Sequence, residues 1–242
     1  MPATPAWPPH SLPRLFVREA LGEGLSVTVE GSYLGAVLRL GPGDRVKLFD
    51  DRTGEWLAEI VDAGKRRATL AVTHKLCDRE PVPDLWLLFA PIKRGRIDWM
   101  IEKATEMGVA RLMPVTTRRT IVDKLNMERL EAHIVEAAEQ CERTALPELG
   151  PLQSLEAVLK GWPEDRALYF ADERGGDTFV PSPGPAAILI GPEGGFTDEE
   201  GAAVRAHPAA RAVSLGPRIL RADTAAIAAI AVWMAAAGDW NG

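Results

Sequence analysis

Residues 186–200 restrict the fold of this chain more than any other stretch. Ala186 to Ile190 is an uninterrupted apolar run that leads straight into Gly191-Pro192-Glu193-Gly194-Gly195-Phe196. Thr197 and Glu200 follow at the spacing of a capping box, in which each side chain satisfies the other residue's backbone N–H. The pattern reads as strand, tight glycine turn and helix. In open α/β sheets such a turn lies at the carboxyl edge of the strands, where ligands bind. The turn carries an acidic residue, Glu193, and no lysine. Neither Gly-x-x-x-x-Gly-Lys-[Ser/Thr] nor Gly-x-Gly-x-x-Gly occurs, which argues against a nucleotide triphosphatase and a dinucleotide-dependent dehydrogenase. A carboxylate in the turn suits a ligand that is cationic or rich in hydroxyl and amine donors.

A second unit of the same kind follows. Ala212 to Leu215 reads as a short strand, Gly216-Pro217-Arg218-Ile219-Leu220-Arg221 as a loop, and Ala225 to Ala237 as a helix that Asp223 or Thr224 can cap. Two such units in series bring two loops to one sheet edge. Together they offer glycine backbone, one carboxylate and two guanidinium groups.

The chain changes rhythm near residue 80. Before it, Arg14 to Arg18, Leu25 to Val29, Arg45 to Phe49, Trp56 to Val61 and Ala68 to His74 are short β-type runs separated by glycine, proline and aspartate turns. Strands at this spacing predict a small barrel, with a short helix over Tyr33 to Leu40. Asp78 to Asp84, with two prolines and several charges, reads as a linker. After it, strands at Leu85 to Ala90, Ala110 to Pro114 and Arg166 to Ala171 alternate with helices. One helix is expected over Ile97 to Met107, with Gly108 closing it. A longer one runs from a cap at Asn126 to about Glu142, with Met127, Leu130, Ile134, Ala137 and Cys141 as its apolar stripe. Alternation of this kind predicts an α/β domain with a mostly parallel sheet. The expected domains are therefore 1–80, β-rich, and 81–242, α/β, with residues 1–9 disordered.

Composition excludes some classes. The final helix offers thirteen apolar residues, short of the roughly 20 that span a bilayer. Being apolar nearly all round, it is expected to be buried, and a subunit interface is one way to achieve that. The N-terminus lacks the pattern of a signal peptide. Cys77 and Cys141 stand apart without metal or disulfide spacing, which fits a reducing cytoplasm, and no metal site is expected. The net charge of −6 disfavours a nucleic-acid partner in bulk, but phosphate contact depends on local patches. Residues 1–80 balance their charges, so residues 81–242 carry the deficit. Arg14 with Arg18, Lys65-Arg66-Arg67, Lys93-Arg94 with Arg96, and Arg118-Arg119 are the candidate patches, each also readable as a solvated face.

The pairing of Gly191-Pro192-Glu193-Gly194-Gly195 with Leu215-Gly216-Pro217-Arg218-Ile219-Leu220-Arg221-Ala222-Asp223-Thr224-Ala225 resembles the SPOUT methyltransferases, and among them the RsmE type. The resemblance extends to Pro91-Ile92-Lys93 with Asp98 to Gly108, to Ala137 to Arg143, and to Tyr33 to Leu48. It implies a C-terminal α/β domain with a deep trefoil knot that binds S-adenosyl-L-methionine, a PUA-like N-terminal RNA-binding domain, and a homodimer. It also implies methylation of N3 of a uridine in 16S rRNA, uridine 1498 in the usual rRNA numbering, with the RNA as part of the 30S subunit. Arg14, Arg18, Arg39, Lys65, Arg66, Arg67, Lys93 and Arg94 become the RNA-binding candidates. The donor-site candidates are Phe170, Ala171, Ile190, Gly191, Pro192, Glu193, Gly194, Gly195, Leu215, Gly216, Ile219, Leu220, Arg221 and Thr224. Other readings within reach are a SPOUT enzyme acting on tRNA or a ribose hydroxyl, and a non-catalytic ribosome-assembly factor.

Methyl transfer from a sulfonium is an in-line displacement that needs donor and acceptor held collinear and water kept out. The acceptor nitrogen must also lose a proton. No histidine is evidently placed to take it: His10, His74, His133 and His207 are scattered. Two routes remain open. Glu193 can act as the base, or Arg221, with Arg218 next, can stabilise a uracil anion through its carbonyl oxygens. A phosphate anchor, or a salt bridge to Asp223 or Glu193, is the competing role for either arginine. Cys141, on the apolar stripe, is expected to be a buried and inert thiol.

Overall fold

A computed structural model of the protein describes residues 12–122 and 124–241; the disorder expected of residues 1–9 falls outside them. The chain divides into two compact units. One holds residues up to Pro81 together with Ala138–Ala145, and the other holds Val82–Ala137 with Leu146 onward.

The first unit is a curled five-stranded sheet of β1 (Arg14–Phe16), β2 (Ser26–Glu30), β3 (Arg45–Phe49), β4 (Glu55–Ala63) and β5 (Arg67–Cys77), in the order β1-β3-β4-β5-β2. Only β1 and β3 pair in parallel. The β4–β5 hairpin shifts register at three places, and each irregularity adds twist, so the long hairpin curls over its own core. Leu15, Leu34, Val46, Leu48, Ile60, Leu70 and Val72 fill that core. A π-helical turn over Tyr33–Val37 replaces the longer helix expected there. Asp50 pins the β3–β4 turn. Burial pushes its carboxyl pKa up, but hydrogen bonds from the Leu21, Thr53 and Arg52 amides and the Thr53 hydroxyl outweigh that and hold it below the ordinary carboxylate value.

The second unit contains β6 (Leu85–Phe89), α1 (Arg96–Glu106), β7 (Arg111–Thr116), α2 (Met127–Gln140), β8 (Glu148–Leu149), β9 (Gln153–Ser154), α3 (Leu155–Lys160), β10 (Ala167–Ala171), β11 (Asp177–Thr178), β12 (Ala186–Ile190), α4 (Asp198–Ala206), β13 (Ala210–Ser214) and α5 (Ala222–Ala237). Its strands run β11-β13-β10-β12-β6-β7-β8, with β9 beside β7, and every pairing is parallel. All five residues of β12 are buried. Ile188 and Ile190 join one apolar cluster, Ala187 and Leu189 another, as period-two alternation requires of a sheet covered on both faces. Each such Leu or Ile contributes about 1.5–3 kcal/mol by leaving water. Spatial neighbours β13, β10 and β12 are out of chain order, so the loops at their carboxyl ends meet, as at the ligand-binding crevice of open sheets.

Two sequence expectations need correction, the start of the last helix and the burial of Cys141. The last helix starts at Ala222 with Arg221 at its N-cap and no side-chain cap, not at Ala225 under Asp223 or Thr224. Buried Ala226, Ala229, Ile230, Trp233 and Met234 make up one side of it within the chain, while Thr224, Val232, Ala235 and Ala236 are exposed. Cys141 is exposed. Its helix ends at Gln140, and Glu142 adopts a left-handed conformation (φ 63°), which takes the thiol off the apolar stripe. Residues 78–84, read as a linker, span the division between the two units, and hydrogen bonds hold both ends. Glu80 accepts from the Thr144 and Ala145 amides at 2.8 and 3.0 Å, and Asp84 meets Arg166 at 2.6 Å. Among the described residues no helix is long and apolar enough to cross a membrane.

Candidate active site

The three loops that follow β10, β12 and β13 wall a cavity of about 620 Å³, within the range of small-molecule sites. The β12 loop is the most tightly built wall. The Gly195 amide donates to the Pro192 carbonyl at 2.9 Å, closing the turn. Glu200 accepts from the Thr197 amide at 3.0 Å and donates its own amide to the Thr197 hydroxyl at 3.2 Å, which is the capping box expected from the sequence. Gly195 adopts a left-handed conformation with φ 65°, and a Cβ at Gly191 would lie 2.6 Å from the Phe196 ring. Only glycine lets the backbone approach so closely.

The loop after β7 braces this wall. Arg119 Nη1 donates to the Gly194 carbonyl at 2.8 Å, and the Arg118 amide donates to Glu200 Oε1 at 2.7 Å. The β13 loop is built differently. Arg218, Ile219 and Leu220 make no backbone hydrogen bond among the described residues, and Ile219 is 89% exposed. Their peptide groups are available to a ligand.

Of the residues expected at the donor site, Ala171, Ile190, Gly191, Pro192, Glu193, Leu215, Gly216, Ile219, Leu220 and Arg221 line the cavity, as does Arg218. Phe170, Gly194, Gly195 and Thr224 do not. Phe170 is buried edge-on against Phe196, ring centroids 5.0 Å apart, and so backs the wall. Thr224 is exposed on α5, while Ala222 and Ala225, three residues apart on one helix face, line the cavity in its place.

Arg96, Asp172, Glu173 and Arg174 also line the cavity and were not assigned to it from sequence. The last three follow Ala171 directly; the end of a buried parallel strand was the signal for them. Buried Asp172 accepts from Arg205 Nε at 2.7 Å and from the Arg174 amide at 3.0 Å. Arg174 meets Asp198 at 2.5 Å, a hydrogen bond that raises its guanidinium pKa. Glu193 pairs with Arg96 at 3.4 Å. Arg218 and Arg221 have no ion-pair partner among the described residues, so neither of the salt bridges considered for them, to Asp223 or Glu193, forms. No histidine lines the cavity, and no group of side chains suited to a metal ion occurs among the described residues.

The basic patches divide. Arg18, Arg39, Lys65, Arg66, Arg67, Lys93 and Arg94 are exposed. Arg14 is 7% exposed. Its guanidinium is paired with Glu55, donates to the carbonyls of Ala138 (2.5 Å) and Arg143 (3.0 Å), and lies over the Phe49 ring. A group so fully engaged is structural and is withdrawn as an RNA contact. Sequence spacing could not show this, because its partners are 41 to 129 residues away.

A wholly parallel sheet with a glycine-walled cavity at its carboxyl edge, and arginines in the cavity wall, agrees with what sequence comparison finds. A family model described as an RNA methyltransferase domain matches residues 78–234, and the chain belongs to that family. A second model, an RNA methyltransferase PUA domain, matches residues 30–73.

Among individual relatives, the chain is 31% identical over 229 residues to Ribosomal RNA small subunit methyltransferase E of Rickettsia conorii, covering 90% of this chain and 93% of that one. It is 36% identical over 214 residues to the protein of the same name from Synechocystis, covering 84% and 70%. The crystal structure of a Ribosomal RNA small subunit methyltransferase E from Neisseria gonorrhoeae bound to S-adenosyl methionine superposes with a TM-score of 0.84 at 26% identity, covering 93% of this chain and 97% of that one.

Proposed function

We propose that this protein transfers a methyl group from S-adenosyl-L-methionine to N3 of a uridine in small-subunit ribosomal RNA. The observation that carries the reading is the cavity itself, where two glycine loops and two arginines free of ion pairs meet at the carboxyl edge of the sheet. The residues present fit the donor. Cβ-free backbone at Gly191 and Gly216 and the open peptide groups of Arg218–Leu220 suit a planar heterocycle with both donors and acceptors. The carboxylates of Glu173 and Glu193 suit the cationic and hydroxyl-bearing parts of the molecule. When bound, the donor supplies an electrophilic methyl group.

The chain's own residues do the rest. The β12 and β13 loops hold the donor between them and exclude water from its reacting end. Arg221, seconded by Arg218, stabilises the negative charge that develops on the uracil carbonyl oxygens as N3 loses its proton. Glu193, in the cavity wall, receives that proton.

The wider proposal treats residues 1–80 as an RNA-gripping module and residues 81–242 as the catalytic domain, with the C-terminal segment threaded as a trefoil knot. Exposed Arg18, Arg39, Lys65, Arg66, Arg67, Lys93 and Arg94 contact phosphate. The acceptor is uridine 1498 in the assembled 30S subunit, in the cytoplasm. The enzyme is a homodimer; the exposed small-residue face of α5 supports this, and a chain that stays monomeric at micromolar concentration would remove it.

The deciding experiment supplies labelled methyl donor with unmodified small subunits, naked 16S rRNA and bulk tRNA, followed by nucleoside mass spectrometry. N3-methyluridine on small-subunit RNA is the expected product. Label in tRNA or on ribose would overturn the target. No label, with donor binding also absent, would leave a non-catalytic RNA-binding protein.

A further inference from the structure

We infer that Arg96 is a substrate-side residue of this site, latched to Glu193 until an anionic oxygen of the acceptor nucleotide takes the carboxylate's place. The inference rests on the functional reading above only in that the acceptor is a nucleic acid. Three observations support it.

The first is position. Among the described residues, every other member of the cavity wall comes from the carboxyl ends of β10, β12 and β13, the loops after them or the start of α5; Arg96 alone comes from the first half of the domain. It begins α1, directly after a turn that carries exposed Lys93 and Arg94. One short segment thus joins a solvent-facing basic patch to the interior of the site.

The second is pairing. Among the described residues, three ion pairs involve the cavity wall. In two of them the partner, Arg205 or Asp198, lies outside the wall, and the distances are 2.7 Å or shorter. Arg96 and Glu193 are both in the wall, 3.4 Å apart, with side chains 36% and 33% exposed. A long, half-solvated pair is weak and readily exchanged for another anion.

The third is local cost. A helix N-terminus favours anions and disfavours cations. Yet α1 opens on Arg96 at its first position, behind a glycine N-cap (φ 90°) with no side-chain acceptor of its own. Asp98, which accepts from the Gly95 amide at 3.3 Å, offsets part of this. Positive charge concentrated where the helix least favours it points to an anionic ligand.

The test measures donor affinity by calorimetry, methyl transfer to small subunits, and binding of naked 16S rRNA with S-adenosylhomocysteine present so that no reaction proceeds. Arg96→Ala is expected to keep the donor affinity and lose about 10- to 100-fold in kcat/KM for the RNA, the worth of a charged hydrogen bond. Arg96→Lys should recover part of that loss. Wild-type kcat/KM in Arg96→Ala, or an equal loss in donor affinity, would overturn the inference. Glu193→Gln should bind RNA no more weakly than wild type, and any gain should vanish in the Arg96→Ala background. A gain that persists there would be long-range electrostatics, and the latch would be refuted. The salt dependence locates the oxygen: a slope lower by about 1 in Arg96→Ala means a phosphate, and an unchanged slope means the base. Should the wild-type protein methylate no RNA at all, the functional reading fails, while the binding cycle still decides the latch.

Discussion

The two glycine loops occupy the same place in successive strand–loop–helix units, yet they are built to opposite standards. The β12 loop is over-determined. It has an internal turn bond, a reciprocal capping box, a guanidinium on the Gly194 carbonyl, and a Phe196 ring packed where any Cβ at Gly191 would go. The β13 loop instead has a bond at its start, from the Gly216 amide to the Ser214 hydroxyl at 3.3 Å. Its helix begins without a side-chain cap, its peptide groups over residues 218–220 are unpaired among the described residues, and Ile219 stands in solvent. A site with one rigid wall and one open wall can preset the geometry of its ligand on one side and close over it on the other. The cost of ordering the second wall then falls on the binding step.

That contrast can be broken from either side. Gly191→Ala should have the largest effect, because the new methyl group meets an aromatic ring that is itself packed on Phe170. Stability should fall by about 1–3 kcal/mol, and donor binding should become undetectable by calorimetry; normal binding would show that the rigid wall is not needed. Arg221→Ala should leave melting unchanged and lower turnover by about 100-fold; turnover at the wild-type rate would return Arg221 to phosphate anchoring. Ile219→Ser should change stability by less than about 0.5 kcal/mol but weaken donor affinity by roughly tenfold if the loop folds over the ligand, since burying an Ile is worth about 1.5–3 kcal/mol. Unaltered affinity would mean that the open wall stays open. Thr197→Ala, which removes half of the capping box, should cost about 1 kcal/mol in thermal unfolding and leave donor affinity nearly untouched, because Arg118 and Arg119 still brace the loop. A large drop in affinity would make the cap the main support.

Much of this was legible from local pattern. The β12 strand, its glycine turn and the Thr197–Glu200 box are set by residues within fifteen positions of one another, and the structure contains them as expected. Asn126 likewise caps α2, accepting from the Arg129 amide at 3.0 Å. Arg218 and Arg221 follow from the loop motif alone. What could not be read depends on partners distant in the chain. Arg14 looked like a surface cation because its neighbours in sequence say nothing of Glu55, Ala138 or Arg143. Arg96 looked like part of a solvent patch because Glu193 is 97 residues away. Cys141 was misplaced for a different reason: helical periodicity does not reveal where the helix stops, and it stops at Gln140, one residue before the thiol.

The sequence by itself determined the elements, their alternation and the two motif loops, because hydrophobic period, turn chemistry and capping act between near neighbours. Tertiary structure decided which charges are available for chemistry. β10 lies between β12 and β13, so its carboxyl-end loop completes the cavity. Long-range pairing engages Arg14, Arg174 and Arg205 and leaves Arg218 and Arg221 free of ion pairs among the described residues. The physical reason is that a charge is committed by whatever opposite charge or carbonyl lies within about 4 Å of it, and at that range the fold, not the order of residues, determines the neighbours.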